Sequence, residues 1–306
     1  MNDLHKEIHS LDTCGTLLRD EPMSSYTSFR TGGPADYIIT PDSCSDIPAI
    51  VKFCRENSVP LTVIGWGSNL LVSDRGIRGL VLRAAAGTDR RPVIEIREGG
   101  SVYAEASVLK SDFISFCADA GLAGVEFMAG IPGCVGGGVF MNAGTNMGDF
   151  AGILKKIFCA DSEGNLFEIS ADAGLAGYRS IALPSGAVIT GAEFTLEKGN
   201  DPRLVHERVK AIIGDRNKKH PVTFPSAGSV FKNPPGHSSW KLIQDAGLRG
   251  RRVGGAMISE LHTNFIINAG GATSADILNL VREVQEKVYS VFGVALETEI
   301  RLTGEF

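Results

Sequence analysis

Apolar positions along this chain change their spacing several times, and each change predicts an element. In ADYIITP, Ala35 to Pro41, β-forming residues dominate and predict a strand. Ile47, Ile50, Val51 and Cys54 then recur at helical spacing behind a capping candidate, Ser45, and PLTVIG reads as the next strand. Strand, helix and strand make an α/β unit that ends at Gly65. Further strand-like runs lie at Gly79–Arg83, Val93–Ile96, Ile153–Cys159, Leu166–Ile169 and Val188–Leu196, with a helix expected over Ala104–Ala120.

EKGNDP, Glu197 to Pro202, has the composition of a boundary loop. Beyond it, Arg203–Ile213 and Ser239–Ala246 look helical, and Ser274–Phe292 has the clearest periodicity in the chain. Its stripe is Ile277, Leu280, Val281, Val284, Val288 and Val291, with Thr273 or Ser274 to cap the start and Gly293 to end it. VALETEIRL then alternates with period two, so that Val294, Leu296, Thr298, Ile300 and Leu302 share one face and Ala295, Glu297, Glu299 and Arg301 the other. The two glutamates would stand roughly 6.8 Å apart on the polar face, and alternation does not choose between them. The division expected is 1–84 and 85–199 as two α+β subdomains and 200–306 as a smaller third domain, with strand 294–302 able to return to the first.

Composition narrows the function. The 306 residues carry a net charge of −5 with a sequence pI of about 5.7, which argues against a general nucleic-acid binder. The six cysteines, Cys14, Cys44, Cys54, Cys117, Cys134 and Cys159, form no C-x-x-C pair and have no histidine cluster beside them, so no metal or redox site is expected and they read as reduced core residues. MNDLHKEIHSL carries charges where a secretory signal needs an apolar stretch, and a cytoplasmic location is expected. Gly121–Gly144 has one charge, Glu126, but eight glycines and Pro132 make it a poor spanning helix and suggest buried loops.

The 37 glycines, about 12% of the chain against a usual ~7%, need a cause. VIGWGSNLLV sets Gly65, Gly67, Ser68 and Asn69 directly after a strand, where backbone N–H groups can turn inward around an anion such as a diphosphate. A Rossmann fingerprint would need glycine at 70, where Leu70 stands. AGIPGCVGGGVFMNAGTNMG is denser still, and backbone without Cβ atoms can approach a planar ligand closely.

YTSFRTGGPADY, IGWGSNLLVSDRGIRGLVL, GLAGVEFMAGIPGCVGGGVFMNAG, GYRS, PSAGSVFKNP, LIQDAGLRG, GGAMISELHTNFIINAGGAT and GVALETEIR follow one another over residues 26 to 304. In that order they resemble the UDP-N-acetylenolpyruvoylglucosamine reductase family, whose FAD-binding portion is similar to the vanillyl-alcohol-oxidase (PCMH) type of α+β flavoprotein. The resemblance implies bound FAD, with Arg30, Thr31, Gly32, Gly65, Gly67, Ser68 and Asn69 around its dinucleotide portion. It sets Gly130, Ile131, Pro132, Gly133, Gly136, Gly137, Asn142, Ala143 and Gly144 against the flavin. It implies NADPH as hydride donor and UDP-N-acetylglucosamine enolpyruvate as the second substrate, with no obligate protein partner.

Reduction of an enolpyruvyl ether needs a hydride source, charge stabilisation at the carboxylate and a proton for the α-carbon. Reduced flavin supplies the first, and the protein must supply the others. Family context points to Ser229 of PSAGSVFKNP as the proton donor, with Lys232 and Asn233 to orient it or touch substrate. Arg179 of GYRS, beside Tyr178, would polarise the carboxylate, since a guanidinium can bond both oxygens. The family usually reads Tyr-Arg-Asp-Ser, and here Ser180 follows Arg179 directly. Glutamate before Ile-Arg selects Glu299 as an acid near the developing enolate, leaving Glu297 as solvated charge. The family's substrate lysine maps to Lys219 or its neighbour Lys218 in KKHP, within a basic group that includes Arg216 and His220. The 50 residues from Arg179 to Ser229 (229 − 179) fit the family's shorter type, which lacks a tyrosine-bearing insertion.

Overall fold

A computed structural model of the chain describes Ile8 and residues 15–85, 91–172 and 174–306. Its secondary structure is mixed α+β, in two compact units that are each discontinuous in sequence. Of the described residues, the first unit takes those up to Arg19, Tyr37–Trp66 and Gly79–Ile213, and the second takes Asp20–Asp36, Gly67–Arg78 and Gly214–Phe306. The sequence division at 84 and 199 is continuous, whereas compactness groups two N-terminal segments with the C-terminal third.

One sheet, most of whose residues belong to the first unit, has the order β1 (Gly15–Pro22), β2 (Pro34–Pro41), β5 (Ile77–Arg83), β3 (Leu61–Ile64). The β3–β5 pair is parallel, with Ile64 opposite Arg83. Helix α1 (Ile47–Glu56) buries Ile47, Ile50, Val51 and Cys54, the four residues its periodicity selects. Its expected cap differs: Ser43, not Ser45, accepts an N–H, that of Ser45, and starts a single 3-10 turn that leads into the helix.

A second sheet has the order β11 (Leu166–Ser170), β10 (Leu154–Ala160), β14 (Val188–Phe194), β7 (Val102–Glu105), β6 (Ile94–Ile96). All seven residues of β14 are buried, as a central strand requires. The helix expected over Ala104–Ala120 begins only at Lys110 (α2, Lys110–Asp119), because Val102–Glu105 pairs with β14 on one side and β6 on the other. Alanine-rich sequence tolerated either state locally, and the sheet ladder decided it. Gly121–Gly144 is largely buried and includes a short helix, α3 (Val135–Phe140), followed by a small hairpin, β8 (Gly144–Thr145) and β9 (Gly148–Asp149). A second small hairpin joins β12 (Ala176–Gly177) to β13 (Ser180–Ile181). Helix α4 (Pro202–Lys219) runs six residues beyond the expected Ile213, and the unit boundary falls inside it.

The second unit is built on α6 (Ser274–Phe292), which buries Ile277, Leu280, Val281, Val284 and Val288. Val291, the last residue of the expected stripe, is instead 49% exposed. Thr273 and Asp276 form a reciprocal capping box, Asp74 accepts the Ser274 and Ala275 N–H groups at 2.8 and 2.9 Å, and Gly293 closes the helix at φ 67°. Helix α5 (Ser239–Asp245) and a three-stranded sheet of β15 (Arg252–Val253), β16 (Ala256–Ile258) and β17 (Ile266–Asn268) complete its core with Phe29, Leu71, Val230 and Phe231. The expected strand 294–302 is regular only at β18 (Arg301–Thr303), which pairs in parallel with β4 (Leu70–Val72). Alternation still sorts Leu296 and Ile300 inward, but Leu302 is exposed. Among the described residues no helix is long and apolar enough to cross a membrane.

Candidate active site

Gly228 turns at φ 77°, a left-handed conformation that β-carbon-bearing residues resist, and so delivers Ser229. Ser229 bridges Phe265 and Phe231 bridges Thr298, while the Glu299 N–H donates to the Val230 carbonyl at 2.7 Å. Residues 229–231 therefore lie between the Phe265 segment and the C-terminal run, and Ser229 and Glu299 are brought onto adjoining extended segments. Both are partly buried. The Ser229 hydroxyl has no hydrogen-bond partner among the described residues. Asn264, fully internal, holds the register from the other side: its Oδ1 accepts the Phe231 N–H at 3.0 Å and its Nδ2 donates to the Phe231 carbonyl at 2.8 Å.

Lys232 Nζ lies 3.4 Å from Glu297 Oε2, and the Lys232 N–H donates to the Glu297 carbonyl. Glu297 is the exposed member of the glutamate pair, with its side chain 78% accessible. Asn233 Oδ1 accepts the Ser239 N–H at 3.0 Å and so anchors the start of α5. Its expected substrate contact therefore shares the side chain with a structural bond.

The first glycine loop crosses the unit boundary, which falls between Trp66 and Gly67. In the first unit a β-carbon at Gly65 would meet open space, and Arg83 lies over the Trp66 ring at 5.2 Å. In the second unit Gly67 has φ 70°, and a β-carbon there would fall 1.8 Å from the Tyr26 carbonyl oxygen, so only glycine is accommodated. Asn69 Nδ2 donates to the Glu299 carbonyl at 3.0 Å and its own carbonyl accepts the Arg301 N–H, tying the loop to the catalytic candidate. Thr31 is 3% exposed, and its Oγ1 has no hydrogen-bond partner among the described residues. A buried hydroxyl left in that state fits a ligand that completes it. Arg30 adjoins it, exposed and at φ 56°, and Gly32 packs on Val72 and Met23.

The second glycine segment divides by face. Gly136 and Gly138 sit where β-carbons would strike Ala106 at 2.7 Å and the Phe150 ring at 2.5 Å, so they serve internal packing, while Gly137 meets open space. Gly130 and Gly133 flank Ile131 and Pro132 with positive φ, and the Gly133 carbonyl accepts the Lys110 N–H. The Ala143 N–H is bonded to Gly138, and Gly144 is paired with Asp149. Asn142 is 4% exposed, and its amide bonds Asp149, Gly177 and Ala151, which leaves backbone rather than side chain to meet a cofactor. Arg179, at φ 57°, donates from Nη2 to the Gly144 carbonyl at 2.9 Å and lies 5.2 Å over the ring of exposed Tyr178. Arg179 and the glycine segment thus meet in the first unit, and Ser229 and Glu299 meet in the second.

Lys219 is exposed at the end of α4, and Lys218 pairs with Asp215 at 3.6 Å. His220 stacks on Phe265 with ring centres 5.0 Å apart, and His262 meets both rings edge-on at 5.3 and 4.9 Å. Burial first, then the charges of Arg216, His262 and Lys219, push the His220 pKa down to about 4. His262 is lowered by burial as well. Neither ring carries charge near neutral pH, so this cluster offers flat, uncharged surface beside the exposed lysine. Among the described residues no group of three His, Cys, Asp or Glu side chains is placed to hold a metal ion.

A family model described as an FAD binding domain matches residues 35–170, which include the Gly65 loop and the whole second glycine segment. With open space at Gly65 and Gly137 and the unsatisfied Thr31 hydroxyl, this defines the class: an FAD-dependent oxidoreductase of the α+β type expected. A second model, the C-terminal domain of UDP-N-acetylenolpyruvoylglucosamine reductase, matches residues 220–303, which carry Ser229 and Glu299. A UDP-N-acetylenolpyruvoylglucosamine reductase of Geobacter sulfurreducens is 42% identical over 306 residues, covering 100% of both chains. One from Lachnoclostridium phytofermentans is 41% identical over 305 residues, covering 99% of this chain and 98% of the relative. The crystal structure of the Thermus caldophilus reductase superposes with a TM-score of 0.79 at 32% identity, covering 95% of this chain and 100% of that one. The chain belongs to the UDP-N-acetylenolpyruvoylglucosamine reductase family.

Proposed function

We propose that the protein reduces UDP-N-acetylglucosamine enolpyruvate to UDP-N-acetylmuramate with electrons from NADPH, a step of peptidoglycan precursor synthesis in the cytoplasm. The observation that carries this reading is identity with curated reductases along the entire chain, through both the FAD-binding and the C-terminal portions. FAD would be held by Thr31, Gly65, Gly67, Ser68 and the Gly130–Gly137 backbone, and its reduced ring would supply the hydride.

Arg179 binds the substrate carboxylate, where its permanent charge stabilises the electron density that accumulates as the β-carbon gains hydride. Ser229 gives its hydroxyl proton to the α-carbon and is reprotonated from solvent. A serine hydroxyl is a weak acid, but an enolate-like carbon is a far stronger base than water, so a positioned donor suffices. Glu299 stands on the segment next to Ser229, where its carboxyl steadies the developing enol. The Glu299–Val230 backbone bond of 2.7 Å supports this pairing of roles. Lys219 and Lys232 bind the anionic UDP portion, with Asn233 and Tyr178 at its margins.

The test is steady-state NADPH oxidation by the purified yellow protein, with and without the enolpyruvyl UDP-sugar. Turnover that depends on the sugar and forms UDP-N-acetylmuramate is expected. Oxygen consumption with no dependence on the sugar would instead make the protein a flavin oxidase.

A further inference from the structure

Arg179 sits in the two-residue turn of a hairpin with only two paired positions, Ala176 with Ile181 and Gly177 with Ser180. So short a hairpin has little stability of its own. Support comes from the glycine segment. Asn142 Nδ2 donates to the Gly177 carbonyl at 3.0 Å, one end of the hairpin, and to Asp149 Oδ2 at 3.2 Å, while Oδ1 accepts the Ala151 N–H at 2.9 Å. Two residues on, the Gly144 carbonyl accepts Arg179 Nη2 at 2.9 Å. One short stretch thus grips the hairpin at its backbone and again at its guanidinium.

We infer that Asn142 is a positioning residue for Arg179: its amide clamps the 176–181 hairpin to the second glycine segment and so aims the guanidinium. Only an amide offers donors to Gly177 and Asp149 and an acceptor to Ala151 from one planar group. Asparagine also tolerates the left-handed φ of 39° at this position better than most residues. Buried and bonded in this way, the side chain acts on the substrate through Arg179. The inference rests on the reading that Arg179 binds the substrate carboxylate.

The experiment measures two half-reactions anaerobically in N142A, R179A, the double variant and N142D. Flavin content and NADPH-driven flavin reduction in N142A should stay within about two-fold of wild type. Reoxidation by the enolpyruvyl UDP-sugar should slow by about ten-fold or more, and adding N142A to R179A should slow it by no more than about two-fold further, since residues acting through one group are non-additive. N142D sets a carboxylate against the Gly177 carbonyl, and protonation of that buried carboxyl as pH falls restores a donor to Gly177. Its reoxidation rate, relative to wild type, should therefore recover several-fold between pH 8 and pH 5.5, whereas N142A should not recover. Wild-type reoxidation in N142A, effects that multiply in the double variant, no pH recovery in N142D, or loss of flavin from N142A would each overturn the inference. If R179A itself reoxidises normally, the carboxylate reading of Arg179 fails and takes the inference with it.

Discussion

Ser229 gains its meaning from what surrounds it. As one small residue after a glycine it would ordinarily be a bonded turn serine, yet among the described residues its hydroxyl has no partner, while the 229–231 backbone is fixed on both sides. Gly228 provides the turn, Asn264 fixes Phe231, and Glu299 bonds to Val230. S229A should leave NADPH-driven flavin reduction nearly unchanged and slow substrate-driven reoxidation by roughly 10²–10⁴-fold, the span general acids contribute. Rapid-mixing spectra of the two half-reactions check this, and equal slowing of both would make the serine structural. Family pattern selects Glu299 over Glu297, since alternation sets both on one face. The structure separates them physically: Glu297 pairs with Lys232 at an exposed position, and Glu299 is partly buried beside the serine segment.

Elements with a complete local signal were legible from sequence. Helix α6 carries a capping box, an apolar stripe and a left-handed glycine, and its bounds match the expected Ser274–Phe292. Helix α2 does not, because the ladder between β7 and its neighbours converts the first residues of an apparent helix into strand, and pairing partners some 90 residues away leave no local mark. The end of α4 and the Phe265 segment carry a property with a pH consequence. His220 has its folded pKa pushed down to about 4 by burial, while an unfolded histidine titrates near 6.5. Between those values the unfolded chain binds more protons, so stability falls as pH drops from about 6.5 toward 4 and is insensitive to this group above that window. Thermal melts from pH 7 to pH 4.5 should show a smaller loss in H220Q than in wild type. An unchanged slope would assign acid sensitivity to other groups.

For the whole molecule, the class of fold and its cofactor were readable in the sequence. Glycine loops, the missing Rossmann glycine at Leu70 and the order of eight motifs led to an α+β FAD enzyme, and the FAD-binding and reductase family matches agree. The second unit, however, recruits Asp20–Asp36 and Gly67–Arg78 through contacts such as the parallel pairing of Leu70–Val72 with Arg301–Thr303. A pairing across that much chain has no sequence periodicity to announce it, although its consequence is large. It sets Asn69, from the first glycine loop, on the backbone of Glu299. Burial raises the thiol pKa values of Cys54, Cys134 and Cys159 to about 11 and of Cys117 to about 12, and Cys44 is raised as well. These five fit the reduced core expected, and Cys14 lies outside the described residues.

The central claim is that electrons pass from reduced flavin to an enolpyruvyl ether held by this chain. It is tested most directly by mixing anaerobically photoreduced enzyme with UDP-N-acetylglucosamine enolpyruvate in deuterated buffer, following flavin absorbance and analysing the product by mass spectrometry and NMR. The account predicts flavin reoxidation at the rate of turnover and UDP-N-acetylmuramate labelled with deuterium at the α-carbon. Flavin that stays reduced until oxygen is admitted would contradict it.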